Sequence, residues 1–118
     1  MLPPIFPLLT AAPAVAAIVA DRVYGHDEAP QGVLDPYVTW FVVSGPPEQV
    51  LEGSPPFDKF TIQIDCRHPR GDGVLQLAKA VRDAVEPHAC VTNLIANNRE
   101  PETKLYRLGL ELDFILNR

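Results

Sequence analysis

Asp65, Cys66 and His68 lie within four residues of one another, and a thiol near an imidazole and a carboxylate is the composition of an activated nucleophile. Strand alternation separates them. Lys59 to Arg67 places Phe60, Ile62, Ile64 and Cys66 on one side and Lys59, Thr61, Gln63, Asp65 and Arg67 on the other, so the thiol should point into a core and the carboxylate into water. A buried structural thiol and a loop histidine are therefore expected. Glu111 and Asp113, two residues apart, suit acid–base work, but on the polar side of an alternating strand they read as solvated carboxylates. His26 and His88 stand alone in loops, and no spacing of His, Cys, Asp and Glu repeats a metal-ligand pattern. Arg70-Gly71-Asp72 spells an adhesion tripeptide, yet with Gly73 it has the residue types that a turn and a helix start demand, Asp72 serving as N-cap. Arg67, Arg70, Lys79 and Arg82 are interspersed with acids and read as a solvated face. Phosphate-binding loops, dinucleotide fingerprints and nucleophile elbows are missing from the sequence. No catalytic, cofactor-binding or metal-binding residue is expected.

The elements that position these groups follow from hydrophobic periodicity and from the breakers between windows. Ile5 to Ala20 is rich in Ala and Leu, with Pro7 near a first turn and Pro13 placed to open a second helix, which predicts two short helices or one bent one. Arg22 to Tyr24 reads as a short strand, and His26 to Pro36 as loop. Tyr37 to Ser44 is almost wholly β-branched and aromatic, the pattern of a central strand. The polar alternation of Lys59 to Arg67 predicts an antiparallel hairpin with it. Val74, Leu77, Ala78, Val81 and Ala84 recur at helical spacing within Gly73 to Glu86, and Pro87 stops that helix. Cys90 to Ala96 is a weaker strand, Asn97 to Thr103 a polar turn, and Lys104 to Leu116 the longest alternating run. The sum is a single α+β domain over residues 1–118: an antiparallel β-sheet of four to five strands, one long amphipathic helix packed on it, and short N-terminal helices.

Composition agrees with one folded body. With 118 residues, 47% of them hydrophobic and 21% charged, the chain can bury a core without disulfides, and its two cysteines fit a reducing compartment. Its net charge of −5 is concentrated early: residues 1–20 carry no charge, and Asp21 to Asp58 hold seven acids against Arg22 alone. Phosphate neutralisation needs a basic footprint, so sequence-specific nucleic-acid binding is not expected. The uncharged start lacks a basic segment and is broken by Pro3, Pro4, Pro7 and Pro13, which speaks against a leader peptide or a membrane span.

Thirteen prolines are about twice the ordinary share of roughly 5%, and two pairs, Pro46–Pro47 and Pro55–Pro56, fence the segment Gly45 to Asp58. Long loops in small domains are usually functional. Val50 and Leu51 inside the fence and Phe57 at its end are candidate contacts with a neighbouring subunit, or else fold back on their own domain.

The order of segments resembles the bacteriophage tail-completion family. The resemblance rests on Leu8 to Tyr24, Pro30 to Gly32, the strand Tyr37 to Gly45, Ile62 to Cys66, Ala78 to Val85, and Glu102 to Arg107 leading into the last strand. It implies a structural virion protein without cofactors: a tail terminator of a long, non-contractile tail, closing as a homo-oligomer, a six-membered ring, on the tail tube protein. Such a ring ends tube polymerisation and joins the tail to the connector or neck proteins of the head. The protein would be assembled in the host cytoplasm and end at the top of the tail, with no membrane partner. Glu48 and Glu52 are the candidate channel-facing acids, since a negative lining lets a genome slide rather than stick. The proline fences depart from the family pattern. The alternatives are another neck or head-closure component, a part of a contractile-tail-like machine, or a small ligand-binding domain or enzyme using Asp65, His68 or Glu111.

Overall fold

The computed structural model describes residues 3–25, 28–30, 32–45 and 57–117. The elements are α1 (Ile5–Ala11), α2 (Pro13–Val19), β1 (Val23–Gly25), β2 (Tyr37–Ser44), β3 (Phe57–His68), α3 (Gly71–Val85), β4 (Ala89–Arg99) and β5 (Tyr106–Asn117). The fold is α+β, with helices layered on one face of a five-stranded sheet of order β1-β2-β3-β5-β4.

That sheet is mixed, which corrects the expected all-antiparallel arrangement. β1 runs parallel to β2, with Val23 opposite Val38 and Gly25 opposite Trp40, whereas β2–β3, β3–β5 and β5–β4 are antiparallel. A parallel neighbour requires a connection long enough to return the chain to its starting end. Residues 26–36 provide it, and the Arg22 guanidinium fastens the return by donating from Nε to the Pro36 carbonyl at 2.7 Å. β3, α3 and β4 form a crossover with β5 inserted between the two strands.

Proline and turn geometry shape the N-terminus. Pro13 occupies the first turn of α2, where its missing N–H is no loss, and the extended Ala12 before it breaks the helical path. Ala20 ends α2 at φ 54° and ψ −115°, and the Arg22 N–H donates to the Val19 carbonyl at 2.9 Å. This is the first central position of a turn that glycine ordinarily fills.

Further along, α3 begins two residues earlier than its sequence suggests. Arg70, extended at φ −120°, is the N-cap and gives no capping hydrogen bond to the helix; Asp72, the expected cap, lies inside the first turn and accepts from the Arg70 guanidinium at 2.9 Å. There its charge still favours the exposed N–H groups of the helix start. β4 also outruns its expected end at Ala96. Asn97, Asn98 and Arg99 pair with Leu108, Arg107 and Tyr106 beyond a bulge, because the long β5 ladder supplies partners for them.

The core is continuous between the layers. Val38 and Trp40 of β2, Phe60 to Cys66 of β3 and Leu108 to Phe114 of β5 present alternate residues to Val74, Leu77, Val81 and Val85 of α3. Ile5, Leu9, Val15 and Val19 complete it from α1 and α2. The strained Ala20 gives a direct check: Ala20→Gly should raise stability by about 1 kcal/mol, read as a higher midpoint in urea at unchanged slope.

Candidate functional site

The cluster with the most reactive composition is taken apart by the fold. Cys66 is fully buried on the core face of β3, and burial, reinforced by the Asp65 charge, pushes its thiol up to about 12. Asp65 points to the opposite face as alternation requires, but it is only 1% exposed, which corrects the expectation of a solvated carboxylate. Arg107 Nη2 donates to Asp65 Oδ2 at 3.0 Å, and Gln63 Nε2 donates to Oδ1 at 3.0 Å. A buried carboxylate needs such partners, because an isolated buried ion costs several kcal/mol.

His68 takes a structural place beside α3. The Arg70 N–H donates to His68 Nδ1 at 3.0 Å, and the ring packs so closely on Gly73 that a Cβ there would collide with the imidazole. Glycine at 73 is therefore required by this approach rather than by its backbone angles. Burial holds the His68 pKa below its ordinary 6.5 against the opposing pull of Asp72.

Arg67 is buried too, although the sequence places it on a wet face. Its Nη1 donates to Thr39 Oγ1 at 2.7 Å, its Nε to Glu100 Oε1 at 3.1 Å, and its guanidinium lies 5.4 Å from the Tyr37 ring centroid. These contacts tie the β4–β5 turn to the second face of the sheet. A cavity of about 260 Å³ lies beside them, lined by Pro30, Gly32, Val33, Tyr37, Thr39 and Thr103 as well as Arg67 and Ala29. Its charged lining group is already committed to Glu100 and Thr39, so the arrangement holds the loop. Of the basic residues that read as a solvated face, Arg70 pairs with Asp72 and Arg82 with Asp83 and Glu86 at exposed positions of α3 and its N-cap, and Arg67 alone departs from that reading by its burial.

Two residues that the sequence leaves isolated, His88 and Cys90, share a shallow hollow of about 390 Å³ with Lys59, Asp113 and Ile115. Asp113 is engaged there by Thr61 at 2.9 Å and Lys59 at 3.5 Å. Among the described residues no three of His, Cys, Asp and Glu are grouped to hold a metal ion. Glu48, Val50, Leu51 and Glu52 lie outside the described residues, and Phe57 opens β3 opposite Asn117. What sequence reasoning missed is the covered second face, where Asp65 and Arg67 meet partners from distant parts of the chain.

A small layered subunit in which the reactive groups are spent on structure has the character of a building block. Its fold is similar to that of a chain in the virion of a native gene transfer agent particle, with a TM-score of 0.64 at 18% identity over 97% of this chain and 92% of that one. No curated protein matches it by sequence. The family model for tail completion protein gp17 matches residues 3–117, and the chain belongs to that family, whose members are structural virion proteins.

Two measurements check this site. A thiol reagent should titrate exposed Cys90 rapidly in the native protein and Cys66 only on unfolding; two fast thiols would contradict the buried placement. Because the His68 pKa is lowered, the unfolded chain binds the proton more readily, so the stability from neutral His68 is fully present above pH 6.5 and is lost as pH falls below it. Denaturant titrations at pH 7.5 and 5.5 should show that loss in the native sequence and a smaller one in His68→Asn.

Proposed function

We propose that this tail completion protein acts as a ring, of six copies by the family resemblance, at the upper end of a phage tail tube, where it stops tube growth and seats the tail on the connector of the head. The family match over residues 3–117 carries this reading. Physical necessity supports it. A tube grows by head-to-tail contacts that never close, so it stops only where a subunit presents a tube-like face on one side and a different face on the other. A closed ring does both.

The segment between Ser44 and Phe57 leaves the end of the sheet at which β5 also finishes. In this reading Val50, Leu51 and Phe57 dock on a neighbouring copy or on the tube, and Glu48 and Glu52 face the channel, where negative charge repels phosphate and lets the genome pass. Assembly takes place in the host cytoplasm, and the finished ring stays in the virion.

Particles made without the chain should carry tubes of uncontrolled length and heads without tails in electron micrographs; normal, attached tails would overturn the reading. Deleting residues 48–54 should leave a folded subunit, judged by circular dichroism, that fails to cap tubes, and persistent capping would remove the docking role of the loop.

A further inference from the structure

The helix layer does not sit centrally on the sheet. α3 packs on β3 and β5 and only grazes β4, while α1 lies against β1 and α3, and α2 against α1 and α3. One flank of the molecule is therefore helical, and the other is a bare strand. Each of these flanks holds a run that carries no charge: residues 3–20 on the helical flank and residues 89–98 on β4.

Both flanks show apolar groups to solvent. The solvent side of α1 and α2 shows Pro4, Phe6, Pro7, Ala11, Ala14 and Ala17, with Phe6 46% exposed. A helix that is apolar on its outer side as well as its inner side is ordinarily a covered one. Among the described residues β4 pairs with β5 alone, so its outer edge has no strand partner along its 11 residues. Two bulges interrupt this edge, but it has neither proline nor lysine to blunt it, and Leu94 and Ile95 on it are 57% and 40% exposed. Leu94 stands beside Leu110 on the helix-bearing face, where no helix of its own subunit reaches far enough to cover it.

We propose that a second copy of this chain supplies the missing cover: the α1–α2 flank of one subunit lies against the β4 flank of the next, with Phe6 and the exposed alanines packed over Leu94 and Ile95. The flanks are different surfaces on opposite sides of the strand order, about 19 Å apart at the usual strand spacing. A contact between unlike flanks is head-to-tail, and repeated around an axis it closes into a ring. Charge selects the same pairing. Copies with a net charge of −5 repel one another, and the approach is least opposed where two uncharged runs meet. The shifted helix layer of one subunit then completes the layer over its neighbour, in the manner of overlapping tiles.

This inference rests on the ring reading for its end product, but its test is independent of tail length. Ala17→Glu on the helical flank and Leu94→Glu on β4 change exposed positions and should leave the circular dichroism spectrum intact. Sedimentation of the full chain from micromolar to millimolar concentration should show self-association, weakened about 100-fold or more by either variant, as expected for a charge buried in an apolar contact. Mixed one to one, the two variants should form a dimer and nothing larger, because each retains the flank that the other has lost. A native chain that stays monomeric to millimolar concentration, variants that associate as well as the native chain, or a mixture that stays monomeric would each overturn the pairing. Self-association lost in Leu94→Glu alone would show β4 meeting β4 and overturn it too. Normal association of both variants alongside defective tail capping in the absence of the chain would remove this interface and leave the tail-completion reading standing.

Discussion

Twelve consecutive residue pairs, from Phe57 opposite Asn117 to His68 opposite Tyr106, hold β3 against β5, and the remaining elements take their positions from that ladder. A slip of one residue would exchange the faces of one strand relative to the other, turning either Ile62 and Ile64 or Leu110 and Leu112 outward and driving Asp65 or Arg107 under α3. The register is fixed because each face has its own demand. The helix-bearing face must be dry, and the opposite face must bring Arg107 to the buried Asp65 carboxylate. β2 extends the ladder on one side and β4 on the other, so the layer of helices and the flanks of the subunit follow from a single pairing.

The parts of this architecture that were legible in the chain are those written at short range. Alternation from Tyr106 to Leu116 marks β5, and the spacing of Val74, Leu77, Ala78 and Val81 marks the buried stripe of α3. The parts that were not legible depend on residues far away in sequence. Asp65 looks like a solvated carboxylate until Arg107, 42 positions later, is folded beside it, and Arg67 looks solvent-facing until Thr39 and Glu100 close on it. Alternation assigns a side of the sheet, and it says nothing about what will cover that side. β1 is legible as a short strand but not as a parallel one, since its direction is set by the return through residues 26–36. At the start of α3 the residue type suggested Asp72 as cap, and the extended backbone of Arg70 moved the boundary.

For the functional surfaces the lesson runs the other way. Residue chemistry pointed to Asp65, Cys66 and His68, and the fold disperses them: one into the core, one into an ion pair, one against the glycine of a helix. The uncharged beginning of the chain, visible in the sequence as a compositional oddity, becomes informative only when α1 and α2 are seen to show apolar side chains on both sides. A tail completion protein needs surfaces more than reactive groups, and surfaces are made by topology. In this chain Asp65, Arg67 and Arg107 brace the sheet, while the runs 3–20 and 89–98 carry no charge.

The N-terminal helices have a further consequence for how such a subunit comes into being. Ile5, Leu9, Val15 and Val19 are translated before α3, against which α1 and α2 pack, and share their core cluster with its Val81 and Val85. At about 5–20 residues per second, the ribosome needs roughly 3 to 13 s after finishing α2 to deliver the end of α3. Through that interval a sticky, uncharged leader hangs from the growing chain with nothing to nestle against, which makes the newborn polypeptide a natural client for chaperones that shield greasy nascent segments.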